Sequence, residues 1–211
     1  MKTAWMTAML AGVLMVATAP SFAQQSTTSQ ARAEMSATLL KAVQSAQDPS
    51  AAVLAYANAL AVDRGNVKLH EAYIRKMVGF GTPEMAYSQA QMLVALDPNN
   101  GLAWGVIAYV SAKRGDAVPA LSDIALAVQN LPDDPFIQRT TAQLVAWYDS
   151  KPHPEVADSI KLLVARLRAR LVDQPVYTQA YKEAMAAYGE LAKQGQPAQQ
   201  PAQTVSTQQP P

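Results

Sequence analysis

The 211-residue chain contains no cysteine, so no disulfide can staple it and no thiol nucleophile is available. Histidine is nearly absent, with only His70 and His153. Glu71 follows His70, but Ile74 occupies the place where an H-E-x-x-H zinc motif needs its second histidine. Both histidines read as ordinary, partly exposed residues, and no metal or other cofactor is expected. Glycine is sparse at nine residues, and neither a phosphate-cradling loop nor a G-x-S-x-G nucleophile turn occurs. An excess of one charge is missing too. With 17 basic and 16 acidic residues the net charge is +1, which leaves no electrostatic footprint for nucleic acid.

The two ends differ from the middle. Lys2, the short apolar run from Ala4 to Ala19 and the small residues around Phe22 have the layout of a cleavable signal peptide over residues 1–23. The apolar stretch falls short of the ~20 residues that a spanning helix needs, and Pro20 ends it. An exported protein, periplasmic or secreted, with no stable membrane insertion after cleavage, is the expectation. Residues 24–30 read as a polar linker. Residues 194–211, rich in Gln and Pro, lack the apolar periodicity needed to offset the entropy of ordering, and read as a disordered tail.

What the middle does contain is a period. Asp48, Thr82 and Asp116 stand 34 residues apart, each ahead of an Ala-rich run. Asn66, Asn100 and Asp134 keep the same interval ahead of the intervening apolar runs. These side-chain types accept hydrogen bonds from the N–H groups that open a helix. Two interleaved sets of caps predict a repeated helix pair, and a 34-residue pair is the unit of a stacked helical array. Within residues 101–134 one stripe holds Trp104, Ile107, Ala108 and Ser111, and the other Ala120, Ile124 and Ala127. Trp104 is expected to fill space between helices, while Ala108 and Ala120 allow close approach. Gly115 supplies the turn between the pair. After residue 149 the period breaks. A longer connection leads to a helix ending near Val172, then a last helix from Pro175 to Lys193 whose Tyr177, Tyr181, Met185 and Tyr188 stripe predicts a capping helix.

This layout resembles the tetratricopeptide repeat (TPR) family. Trp104, Ile107, Ala108, Ala120, Ile124 and Pro132 meet its W-x2-L-G-x2-Y, A-x3-F and P pattern, with Ser111 in place of the tyrosine. His70 and Ser36 stand where tryptophan is usual, Ile74 and Leu40 where a small residue is usual, and Arg64 replaces the closing proline. The resemblance covers residues 33–149. It implies an all-α, right-handed solenoid of stacked antiparallel helix pairs with a terminal capping helix, over residues 31–193.

In such stacks the first helices line a concave face that holds a protein or peptide. On that frame Lys68, Glu71, Arg75, Tyr109, Lys113, Arg139, Gln143 and Trp147 point into the groove. Arg75 and Gly105 stand where a carboxylate-gripping member would carry asparagines, which argues against that activity. The expected function is a non-catalytic adaptor in the cell envelope. Two other readings stay open: a structural spacer or self-assembling homo-oligomer, and an envelope hydrolase. The hydrolase needs an acid–base pair, and Asp133–Asp134 is better explained by Asp134 acting as a cap.

Overall fold

A computed structural model describes residues 22–194, with side chains from Ser29 onward. Apart from their border residues, the expected leader and the expected Gln/Pro tail lie outside the described residues. Among those described, nine α-helices and one 3-10 turn account for the regular structure, and there is no strand. The helices are α1 (Phe22–Ser45), α2 (Pro49–Leu60), α3 (Val67–Gly79), α4 (Tyr87–Leu96) and α5 (Gly101–Arg114). They continue with α6 (Ala117–Asn130), α7 (Pro135–Asp149), α8 (Asp158–Leu171) and α9 (Pro175–Lys193). The 3-10 turn, Pro83–Ala86, leads into α4.

One set of expected caps forms in full. Asn66 accepts from the Leu69 N–H, Asn100 from Ala103, and Asp134 from Phe136 and Ile137. In the other set only Asp48 caps, accepting from Ala51 at 2.9 Å. Thr82 and Asp116 make no side-chain cap. The Thr82 hydroxyl turns back to the Met77 carbonyl instead, because Gly81, at φ 75°, closes α3 and starts the 3-10 turn. Gly115 adopts φ 106° between α5 and α6, the left-handed conformation that glycine reaches without a side-chain penalty.

A second repeated device was not visible in the cap pattern. His70 Nε2 donates to the Arg64 carbonyl (2.8 Å), Trp104 Nε1 to Pro98 (2.8 Å) and Gln138 Nε2 to Pro132 (2.9 Å). Donors and acceptors each recur every 34 residues, six positions apart. Three different residue types thus do one job. Each pins the loop before an odd-numbered helix to that helix's first turn, satisfying a carbonyl that no helix uses.

Packing follows the alternation. Consecutive odd-numbered helices touch, α1 with α3, α3 with α5, α5 with α7, while α2, α4 and α6 each lie against the odd helices on either side. The core runs along this seam through Tyr56, Ile74, Met77, Leu93, Val106, Ile124, Ile137 and Val145. Ala108, Ala120, Ile124 and Ala127 are fully buried as expected. Trp104 is not. It is only partly buried, so it borders the core while its ring N–H holds the loop. Tyr56 stacks on Tyr73 with ring centroids 4.2 Å apart. Burial first, then neighbouring Tyr73, pushes the Tyr56 hydroxyl up to about 12, so it remains a donor.

The ends depart from the regular pattern. α1 runs through residues 24–30, where a linker was expected, because residues 22–45 include no glycine or proline to stop a helix. Beyond α7, α8 packs mainly on α6 and α9 along α7. Tyr177 and Tyr188 of the tyrosine stripe are buried, with Tyr181 and Met185 half-buried against the core. The two histidines are both buried, contrary to the partly exposed reading. In neutral His70 the bond to Arg64 places the hydrogen on Nε2, so Nδ1 accepts from Tyr56 at 2.6 Å. His153 lies against Trp147 and Tyr148, with ring centroids 4.3 and 5.4 Å away, and contacts Glu155 at 3.1 Å.

Candidate functional site

α3, α5 and α7 run side by side, and the loop after α3 reaches α5 through the 3-10 turn. Six of the eight expected contact residues participate in a face built there. On α3, Arg75 bonds to Glu71 one turn back (3.5 Å) and to Asp134 at the head of α7 (3.1 Å). On α5, Lys113 pairs with Glu84 of the turn, and the Tyr109 hydroxyl donates to the same carboxylate at 3.3 Å. Lys113 also stands over the Tyr109 ring, 5.5 Å from its centroid.

The electrostatics of this second group follow from its half-sheltered place. Burial alone would raise the Glu84 carboxyl. Hydrogen bonds from Lys113, the backbone and Tyr109, with the Lys113 charge, outweigh it and hold the group below the ordinary carboxylate range. Burial, and then the Glu84 charge and hydrogen bond, pushes the Tyr109 phenol upward, so it stays protonated and donating.

A cleft of about 200 Å³ opens among the end of α3, the connection after it and α7. Its apolar walls are Val78, Pro83 and Phe136, with Gly81 at the rim. Its polar lining comes from Arg139, Thr140 and Gln143 on successive positions of one α7 face. Tyr109 backs the Phe136 wall, with ring centroids 5.7 Å apart. Gly105 lets α7 approach α5: a Cβ there would meet Ile137 Cγ1 at 3.0 Å.

Two of the eight, Trp147 and Lys68, lie outside this face, and Tyr109 serves it indirectly. Trp147 is buried because the α7–α8 connection folds His153 over it. Tyr109 is 3 % exposed, so it shapes the face through its hydroxyl and is not itself a broad contact surface. Lys68 is exposed but lines a different, open hollow of about 500 Å³ with Arg32, Ser36 and Asp63, between α1 and the α2–α3 loop. Sequence reasoning missed Phe136, Thr140, Pro83 and Glu84. Pro83 and Glu84 come from a connection, and no periodicity of α7 or α5 could place them there.

The arrangement offers one open guanidinium, neutral donors and an apolar wall. Asp133 and Asp134 form no acid–base couple, since Asp133 accepts from Gln174 and Asp134 caps α7 while holding Arg75. Among the described residues no three His, Asp or Glu side chains converge as metal ligands, and no helix is long and apolar enough to cross a membrane. Comparison with protein-family models, with curated proteins and with solved structures found no match to this chain.

Proposed function

We propose that this chain is an exported, non-catalytic adaptor with a TPR-like solenoid, which holds a segment of another protein on the face of α3, α5 and α7. The signal-like leader supports export. The 34-residue recurrence of caps and loop-pinning donors, together with contact between successive odd-numbered helices, supports the solenoid reading. The observation that carries the binding role is the cleft that Arg139 and Gln143 line together with Pro83 of the 3-10 turn. Rigid helices set its walls in advance, so a bound segment loses less entropy than it would on a mobile surface.

A photo-crosslinking residue at Gln143, introduced in cells of the native host, is expected to capture a defined protein. The same probe at Gln129, exposed on α6, serves as the control. Equal capture at both positions, or none at Gln143, removes this reading of the face.

Self-association has one observation behind it as well. Leu54, Met92, Leu96, Leu126 and Leu162 lie exposed on the even-numbered helices. Solution mass that rises with concentration, and falls with Leu54→Lys and Leu162→Lys, distinguishes that reading.

A further inference from the structure

Charges around the cleft sort into those already satisfied and one that is not. Glu84 is held by Lys113 and Tyr109, and Asp134 by Arg75 and the first N–H groups of α7. The Arg139 side chain, one turn further along α7, makes no ion pair or hydrogen bond with any described residue. Among the described residues its guanidinium is the single cation lining the cleft. Among the described residues no carboxylate lines the cleft; Glu84 on the turn and Asp134 at the head of α7 are held by Lys113 and Arg75, and Asp133 accepts from the Gln174 amide.

The space beside it has definite chemistry. Gln143 adds an amide donor, while Pro83 and Phe136 present hydrocarbon. A volume of about 200 Å³ takes one side chain. A lone guanidinium balances a single negative charge, which fits a carboxylate better than a doubly charged phosphate. Methylene groups next to that carboxylate match the apolar wall.

We propose that the cleft binds the side chain of an internal glutamate in an extended partner segment, its carboxylate on Arg139 and Gln143 and its methylenes on Pro83 and Phe136. This rests on the face being a protein-binding surface and specifies the residue it selects. The ion pairs Lys113–Glu84 and Arg75–Asp134 lie outside the lining, and each carboxylate is matched by its own cation.

The test uses the full chain and a display library of random twelve-residue peptides. Selected sequences are expected to share an internal glutamate. In synthetic versions, Glu→Gln in the peptide and Arg139→Gln in the protein each weaken binding about tenfold or more, and the two together weaken it no further than one alone. Arg166→Gln, on the exposed side of α8, leaves binding unchanged. Selected peptides without an acidic residue, or full binding by Arg139→Gln, overturn the glutamate site. Loss of binding on C-terminal amidation also overturns it, in favour of a terminal carboxylate. Gln143→Trp separates the two levels. If it blocks binding where Arg139→Gln does not, the face stands and the glutamate assignment fails. If neither change matters, the binding face fails as well. Far-UV circular dichroism melts confirm that each variant is folded.

Discussion

Arg75 on α3 and Asp134 at the head of α7 are 59 positions apart in the chain and 3.1 Å apart in space. Asp134 uses its other oxygen to cap α7, accepting from Phe136 at 2.9 Å. One carboxylate therefore starts a helix and ties it to another two pairs earlier. The two roles can be separated by substitution. Asp134→Asn keeps a good cap and loses the ion pair, which should cost under about 1 kcal/mol because Arg75 is half exposed. Asp134→Ala loses both and should cost about 1–2 kcal/mol more. Urea denaturation of the two variants checks the difference.

His70 illustrates what the repeat requires at this place. Trp104 and Gln138 make the same hydrogen bond six residues back, so the position needs an N–H donor and no particular ring. His70→Leu leaves the Arg64 carbonyl and the buried Tyr56 hydroxyl without partners and should cost about 2–4 kcal/mol. His70→Gln restores the donor and should recover a substantial part of that loss. Equal destabilisation by both variants in denaturant melts would show that ring packing matters more than the bond.

Two glycines are expected to respond with opposite signs to the same change. A Cβ on Gly101 would lie 2.7 Å from Leu131 Cβ and 3.0 Å from the Ala127 carbonyl oxygen. Gly101→Ala should therefore destabilise by about 1–3 kcal/mol, the range for overpacked sites. Gly189, within α9, has nothing within 4 Å of that position. Gly189→Ala should stabilise by up to about 1 kcal/mol, through the lower backbone entropy of the unfolded chain. Thermal melts of the pair read out both signs.

The Glu84 cluster carries an acid dependence. Above the ordinary value of 4.5 the carboxyl is ionised folded and unfolded, and the cluster contributes in full. As the pH falls below 4.5 the unfolded chain takes up the proton first, because the folded group lies lower. The contribution then fades until the folded pKa is passed. Glu84→Gln should flatten this acid limb in denaturation curves measured across pH. At neutral pH it should cost no more than about 1 kcal/mol, since both partners are more than a third exposed.

The helices and their order were legible in the sequence because caps and apolar spacing act within a few residues. Asn66, Asn100 and Asp134 were all readable as caps. Thr82 was not, because the outcome there depended on how Gly81 turned the chain after α3. The face was half legible. Helical spacing assigns Arg139 and Gln143 to one side of α7, but it does not say what covers Trp147 further along that side. His153, from a connection outside the period, covers it. The 3-10 turn is the same kind of case: nothing in the spacing of α5 indicates that Glu84 will meet Tyr109 and Lys113.

Several of the capping side chains have a second obligation, as Asp134 does. Asn66 accepts from Leu69 at the start of α3 while its amide donates to Ser36 on α1, 3.0 Å away. A connection that gained or lost a residue would move both ends of such a latch at once. Evolution can therefore exchange histidine for tryptophan or glutamine here more readily than it can lengthen a loop, and insertions between α2 and α7 should be harder to accommodate than substitutions.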